Sequence, residues 1–330
     1  MATAPTNIAT PITQTDGTDS TNNLASLVYI ERNALGNTIN STTQKETTIR
    51  ETNAIFFTSD TWLGGGITDE QKADIYFKLN GATDIALSDV DYITLNAGDK
   101  LYFLNKGASI VKNNNSIIEP LFDTSLTFNM SGDFCKFLWG TRNTTANYAC
   151  AYMFAATKVV DASGLFIAIS HFVNFNQSLA LGSYMCESMF RQCTSLKHAP
   201  RLPETMLGNY CYQRMFRDCT SLTTAPELPA TTLATGCYST MFYSCTSLTT
   251  APELPATTLA TNCYQRMFYS CSKLNNVTCL ATNIQASSCT IGWLSNAHST
   301  GIFTKAAGFN GWSRGTNGIP AGWTIKDYEE

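Results

Sequence analysis

Apolar residues recur at a fixed interval through the second half of the chain. The segment that begins at Cys211 returns almost unchanged at Cys237 and again, with more substitutions, at Cys263, so the period is 26 residues. A period of this length indicates stacked coils, because a single unit of this size cannot bury its own apolar face. The sequence therefore predicts a short solenoid over residues 146–300, with coils near 146–184, 185–210, 211–236, 237–262 and 263–288.

Each coil combines two local patterns. The apolar residues of Tyr212–Cys219 fall at i, i+3, i+4 and i+7, which predicts a short helix with Met215 and Phe216 inward and Tyr212 half-buried. The strand that follows should be very short, near Ser221–Thr224, because the coils near 185–210, 211–236 and 237–262 each contain two prolines, which cannot donate hydrogen bonds to a ladder. We therefore expect side-chain columns, more than backbone hydrogen bonds, to hold the coils together.

Residues 51–145 are predicted to form a small β-sandwich-like domain. Five short segments are rich in β-branched or aromatic residues and are separated by turn sequences such as Asn80-Gly81. The spacing also predicts that segments 92–96 and 101–104 pair as a hairpin. The five predicted strands are Ala54–Thr58, Asp74–Leu79, Tyr92–Asn96, Leu101–Leu104 and Leu126–Met130.

The two ends of the chain differ from the repeat. Residues 1–50 are rich in Thr and Asn, and only Leu27–Tyr29 has the character of a strand. Such an arm is disordered by itself and becomes ordered when something ties it down, so we expect it to pack on another subunit or another protein. After Cys289 the repeat dissolves, and residues 301–330 are expected to cap the stack.

Charge and hydropathy narrow the function classes. The net charge is −4, only 14% of residues are charged, and there is no basic stripe, which disfavours nucleic acid as a partner. No apolar run approaches the length of a membrane span. Residues Met1–Asn7 have neither the basic nor the apolar region of a secretory signal. We therefore expect a protein that inserts in no membrane and leaves its cell by lysis.

The chain has 12 cysteines, most of them in two columns of the repeat. The eight-residue spacing between Cys211 and Cys219 differs from the CxxC pairs of zinc sites. We interpret these cysteines as small free thiols buried between coils, with disulfides between coils and metal ligation as the alternatives. No metal and no cofactor is predicted.

The repeat has a recognisable pattern. Tyr212–Pro229, of the form Tyr-x-x-Met-Phe-x-x-Cys-Thr-Ser-Leu-Thr-Thr-Ala-Pro-Glu-Leu-Pro, resembles the BspA-like leucine-rich repeat of gut-bacterial surface proteins. Ile93–Lys100, Cys279–Cys289 and Gly318–Thr324 resemble parts of the same proteins, so the likeness covers about residues 92–326. It implies a right-handed leucine-rich-repeat solenoid and adhesion to host or matrix components. The resemblance extends to virion proteins of phages that infect gut Bacteroidetes, including crAss-like phages.

Two outward columns of the repeat hold the candidate binding residues. Aromatic rings beside hydroxyl and guanidinium groups suit sugar binding, because a ring can lie on the apolar face of a sugar. The alternative is that these amphipathic side chains only cover the surface of the coils. The candidates are Tyr243, Tyr269 and Arg217 in one column, and Arg214 and Arg266, on either side of Thr240, in the other.

No catalytic residues are predicted. His171, His198 and His298 are isolated from any Ser, Cys or Asp motif. Glu227 and Glu253 are one period apart, and two neighbouring carboxylates could act as a glycosidase pair. The simpler interpretation, which we prefer, is that they occupy one exposed position in copied repeats.

Together these features predict a non-enzymatic structural appendage of a phage virion, a head or tail fibre. Residues 1–50 would attach it to other virion proteins, and the solenoid would adhere to a glycan or protein of the host surface. Fibres of this kind are commonly trimers, so we expect a homotrimer, assembled in the host cytoplasm and released by lysis. The alternatives are a bacterial cell-surface leucine-rich-repeat adhesin and a capsule depolymerase.

Overall fold

The computed structural model describes residues 25–32, 54–57, 73–89, 93–94, 99–105, 122–123, 127–133, 148, 150–167 and 182–329. Within these ranges the regular structure is β-strand and turn, with one 3-10 turn at Leu87–Asp89 and no α-helix. The strands are β1 Ala25–Arg32, β2 Ala54–Phe57, β3 Ile75–Leu79, β4 Ile85–Ala86, β5 Ile93–Thr94, β6 Lys100–Asn105, β7 Phe122–Asp123, β8 Phe128–Asp133, β9 Val159–Phe166, β10 Asn276–Cys279, β11 Gly301–Lys305 and β12 Trp323–Asp327.

A six-stranded sheet occupies the first half of the chain, in the order β4-β3-β6-β1-β8-β9. Its pairs are antiparallel except β8 with β9. Phe128 and Met130 are buried while Thr127 and Asn129 are less so, which confirms the predicted alternation at these positions. Strand β1 belongs to the predicted N-terminal arm, yet it lies between two strands of the β-rich region. The anchoring role of residues 1–50 stays a prediction.

A second sheet, β5-β2-β7, lies apart from the first in hydrogen bonding. All five predicted strand segments of this region overlap observed strands. The predicted hairpin is wrong, because β5 pairs with β2 whereas β6 pairs with β1 and β3. A turn sequence between two strands does not by itself determine that they pair with each other. A strand of only two residues also contributes little to the choice of partner.

The segment predicted as a helix in each coil is a run of tight turns. In Tyr212–Cys219, alternate residues donate their N–H to the carbonyl three residues back, as Met215 does to Tyr212 at 3.2 Å. Every fourth residue has a left-handed backbone, with φ of 55° at Tyr210, 56° at Arg214 and 62° at Asp218. The helix prediction is therefore wrong. The i, i+3, i+4, i+7 spacing fits a turn that repeats every four residues as well as it fits a helix.

The remaining N–H groups of these turns join one coil to the next. Tyr212 donates to the carbonyl of Cys237 and Phe216 to that of Met241, each at 2.9 Å. Five such bonds of 2.7–3.1 Å connect each pair of adjacent coils from Tyr148 to Ser295. In an α-helix these N–H groups would form hydrogen bonds within their own segment. In the turn conformation they remain available to bond to the next coil. Backbone hydrogen bonds thus carry more of the stack than we expected.

The proline side of the coils has much weaker backbone pairing. Isolated bridges join His198 to Thr224 and Thr250 to Asn276, and within the described residues of the coils regular strands form on this side only at β9 and β10, in the coils that have no proline. Between the near-identical coils 211–236 and 237–262, all of whose residues are described, no backbone hydrogen bond is present on this side. The expectation that prolines shorten the strand is confirmed.

The interior of the stack consists of columns of like side chains. Met215, Phe216 and Leu222 are fully buried, as are their equivalents in the next coil. The Phe242 ring lies 5.6 Å from that of Phe216 and 5.4 Å from that of Phe268. Each buried phenylalanine contributes roughly 1.5–3 kcal/mol.

The tyrosines expected to be half-buried, Tyr212, Tyr238 and Tyr264, are instead 1% exposed. The leucine-rich-repeat class of this stack and its handedness stay predictions.

The C-terminal residues close the stack. Strands β10, β11 and β12 form a parallel sheet, each lying one level beyond the last. Asn317 occupies the place of a further coil, because its side-chain oxygen accepts from the Gly292 N–H at 3.0 Å and its carbonyl from Thr290 at 2.8 Å. The Trp293 ring nitrogen donates to the carbonyl of Gly318 at 2.8 Å. These hydrogen bonds satisfy N–H and O–H donors of the last coil, which has no further coil to receive them.

Candidate functional site

The run of turns gives each coil a polar outer surface, which we call the turn face. It comprises the columns that pass through Tyr210, Gln213, Arg214, Arg217 and Asp218. These side chains point outward because the turns repeat every four residues, with two residues in and two out. Since backbone hydrogen bonds set the spacing of the coils, each column is a row of side chains about 4.8 Å apart.

The structure brings Arg217, Tyr243 and Tyr269 together in one column, as predicted from the sequence. The Tyr243 and Tyr269 rings are parallel within 7°, with centroids 4.9 Å apart. The Arg217 guanidinium carbon lies 4.8 Å from the centroid of the Tyr243 ring. Both faces of that ring are therefore covered, one by a cation and one by a ring. A sugar therefore has no access to either face of the Tyr243 ring.

The two arginines of the second predicted column, Arg214 and Arg266, lie in different environments. Arg214 donates to a carboxylate oxygen of Glu187 at 3.1 Å, and its side chain is 39% exposed while that of Glu187 is 8% exposed. Burial raises the pKa of Glu187, against the opposing effect of Arg214 and, less strongly, of Arg191. Arg266 is exposed. Thr240 separates the two arginines along the column, so they do not touch.

A stack of three tyrosines on the turn face was missed by the sequence reasoning. The Tyr148, Tyr184 and Tyr210 rings lie 4.7 Å apart, within 7° of parallel. The stack ends at Gly236, where a Cβ would lie 2.3 Å from Tyr210. The sequence did contain an indication of this stack, because Tyr184 and Tyr210 are 26 residues apart. The next position in the column is Gly236, however, so the tyrosine does not recur there.

The eleven described cysteines are all free and buried. In one column each thiol donates to a phenylalanine carbonyl of the preceding coil, as Cys219 does to Phe190 at 3.0 Å and Cys245 to Phe216 at 3.1 Å. Burial raises the pKa of Cys193 and of Cys271 to about 12. Burial thus favours the protonated form of these two thiols at neutral pH.

The described acidic and imidazole groups that were considered for catalysis are Glu227, Glu253, His198 and His298. Glu227 and Glu253 are both exposed on the proline side, and Glu253 accepts from the Tyr328 hydroxyl at 3.3 Å. His198 lies 3.3 Å from the Thr224 hydroxyl, and His298 contacts the backbone at Thr300. His171 and the segment His171–Asn176 lie outside the described residues. Across the described ranges, no three His, Cys, Asp or Glu residues form a group that could hold a metal ion.

The described part of the chain contains no helix with the length and hydrophobicity that crossing a membrane requires. Comparison with protein-family models, with curated proteins and with solved structures gave no match to this chain.

Proposed function

We propose that this chain is a non-enzymatic structural component of a phage virion, a head or tail fibre whose coils adhere to the host surface. Residues 1–50 attach it to other virion proteins, and the fibre is a homotrimer. The resemblance of Tyr212–Pro229 to BspA-like leucine-rich repeats supports the adhesive role, and it depends on the residues of the repeat alone.

The observation that carries the proposal is the order of the turn face. Five backbone hydrogen bonds between each pair of coils hold its tyrosine, arginine and hydroxyl side chains in straight rows. Stacking within the rows, such as that of Tyr243 on Tyr269, fixes the side chains before any ligand arrives. A preorganised polar surface loses little conformational entropy when it binds. This suits attachment to a large, repetitive surface.

The test has two parts. Purified virions analysed by mass spectrometry should contain the chain at a fixed copy number, and labelled full-length protein should bind intact host cells. Absence from the virion together with presence on a bacterial surface would replace the proposal with the cell-surface adhesin. Release of reducing ends from host capsule by the purified protein would replace it with the depolymerase.

A further inference from the structure

The arginines of the turn face outnumber its carboxylates. Over residues 182–296 the face carries Arg191, Arg214, Arg217 and Arg266 against Glu187 and Asp218. The chain as a whole has a net charge of −4, so this local excess of positive charge opposes the overall balance. All four cations are arginines, whose planar guanidinium groups suit bidentate contact with carboxylates.

The two carboxylates do not saturate the arginines. Arg217 pairs with Asp218 at 3.3 Å, and Arg214 pairs with Glu187 at 3.1 Å. Arg191, which is partly exposed, and Arg266 take part in neither of these ion pairs. Arg266 is exposed two coils beyond Arg214. The face therefore retains donors whose ordinary partners are anionic oxygens.

The same geometry disfavours a neutral sugar held against the ring face of Tyr243 or Tyr184. Both sides of the Tyr243 ring are covered, and the Tyr184 ring is stacked between Tyr148 and Tyr210. What the rows offer instead is hydroxyl edges and guanidinium groups, at a spacing of about 4.8 Å along a straight line.

We propose that the turn face binds a carboxylated polysaccharide of the host surface, lying along the stack and held by Arg191 and Arg266. These two arginines are three coils apart, a separation of roughly 14 Å. Two cations so far apart match a uronic-acid chain, with at most one carboxylate on each sugar, better than a polysaccharide with several sulfates on each sugar. This inference depends on the proposed adhesive function and names the chemistry of its ligand.

The test measures binding of the full chain to polygalacturonic acid, with its fully methyl-esterified form as the neutral control and dextran sulfate as the dense polyanion. Binding should be strong only for polygalacturonic acid and should weaken as NaCl is raised. Arg266→Gln should weaken it about three- to tenfold, as expected for loss of one charge-assisted hydrogen bond. Arg201→Gln, an exposed arginine on the proline side, is the matched control and should leave binding unchanged.

Three results would overturn the inference: no binding to polygalacturonic acid, equal binding of the esterified polymer, or tighter binding of dextran sulfate. An Arg266→Gln protein that binds as well as the unmodified chain would remove the assigned site. Because Arg266 is exposed, its variant should keep the parent melting temperature, which shows that lost binding is not lost folding. The virion analysis is independent: a chain present in virions that ignores carboxylated polymers retains the proposed function and loses only this ligand.

Discussion

Replacing Gly236 with alanine should disrupt the tyrosine stack of the turn face. Gly236 has φ of 60°, and a Cβ there would lie 2.3 Å from two carbons of the Tyr210 ring. The ring cannot simply swing aside, because its far face lies 4.7 Å from Tyr184. The substitution therefore forces Tyr210 out of the stack in addition to straining the backbone.

The expected cost has two parts. A left-handed alanine costs about 1–2 kcal/mol relative to glycine. Loss of the ring stacking adds about 0.5–1.5 kcal/mol. Gly236→Ala should therefore lower the free energy of unfolding by about 1.5–3.5 kcal/mol. Gly308→Ala isolates the backbone part, because Gly308 has φ of 74° and a Cβ added there would have no other atom within 4 Å.

Urea unfolding followed by circular dichroism measures both variants and completes a double-mutant cycle with Tyr210→Ala. In the Tyr210→Ala background, the second substitution Gly236→Ala should cost only the backbone part, which leaves a coupling of about 0.5–1.5 kcal/mol. If Gly236→Ala costs no more than Gly308→Ala, or the cycle shows no coupling, then Tyr210 does not cover Gly236 and the stack does not exist as described.

Three further predictions address the core, the thiols and the cap. Phe242→Ala should lower the free energy of unfolding by about 3–5 kcal/mol, whereas Thr250→Ala, at an exposed position, should change it little. Equal effects of the two substitutions would contradict the stacking of the phenylalanine rings. The pKa of Cys193 and of Cys271 is raised to about 12. Their contribution to the free energy of unfolding is therefore complete below the unfolded thiol pKa of about 8.5, and it is lost as the pH rises towards 12. The free energy of unfolding measured in urea should fall over that range by up to about 1.4 kcal/mol per thiol and pH unit, and a flat profile would mean solvated thiols. Asn317→Ala should increase hydrogen exchange at the last coil and not at the first, and uniform exchange would refute its capping role.

The inward residues of the repeat could be read from the sequence because burial follows side-chain chemistry. Met215 and Phe216 recur with the period, and the structure buries both. The local conformation could not be read in the same way. Over the eight residues of Tyr212–Cys219, a helix of 3.6 residues per turn and a turn repeating every four residues place the same side chains inward. Glycine or asparagine at 236, 262, 292 and 296, all with positive φ, is the signal that favours the turn.

The candidate site shows a similar division. Column membership follows from the period alone, so the proximity of Arg217, Tyr243 and Tyr269 was predictable. What occupies the ring faces depends on side-chain direction, which a period does not give. The partner of Arg214 depends on Glu187 in the preceding copy, where the repeat has diverged. For that reason, the sequence favoured sugar binding on the ring faces, while the structure covers both faces of Tyr243.

The central claim is that the copies stack in register through their turns, and a deletion of one whole period tests it most directly. Removing residues 237–262 places coil 263–288 directly on coil 211–236, with Tyr212 facing Tyr264 and every column restored. The shortened chain should unfold in a single cooperative thermal transition monitored by circular dichroism, slightly below that of the full chain. Removing the half period 237–249 should abolish that transition. If both deletions unfold the protein equally, or both leave it intact, the stacked-coil account is contradicted.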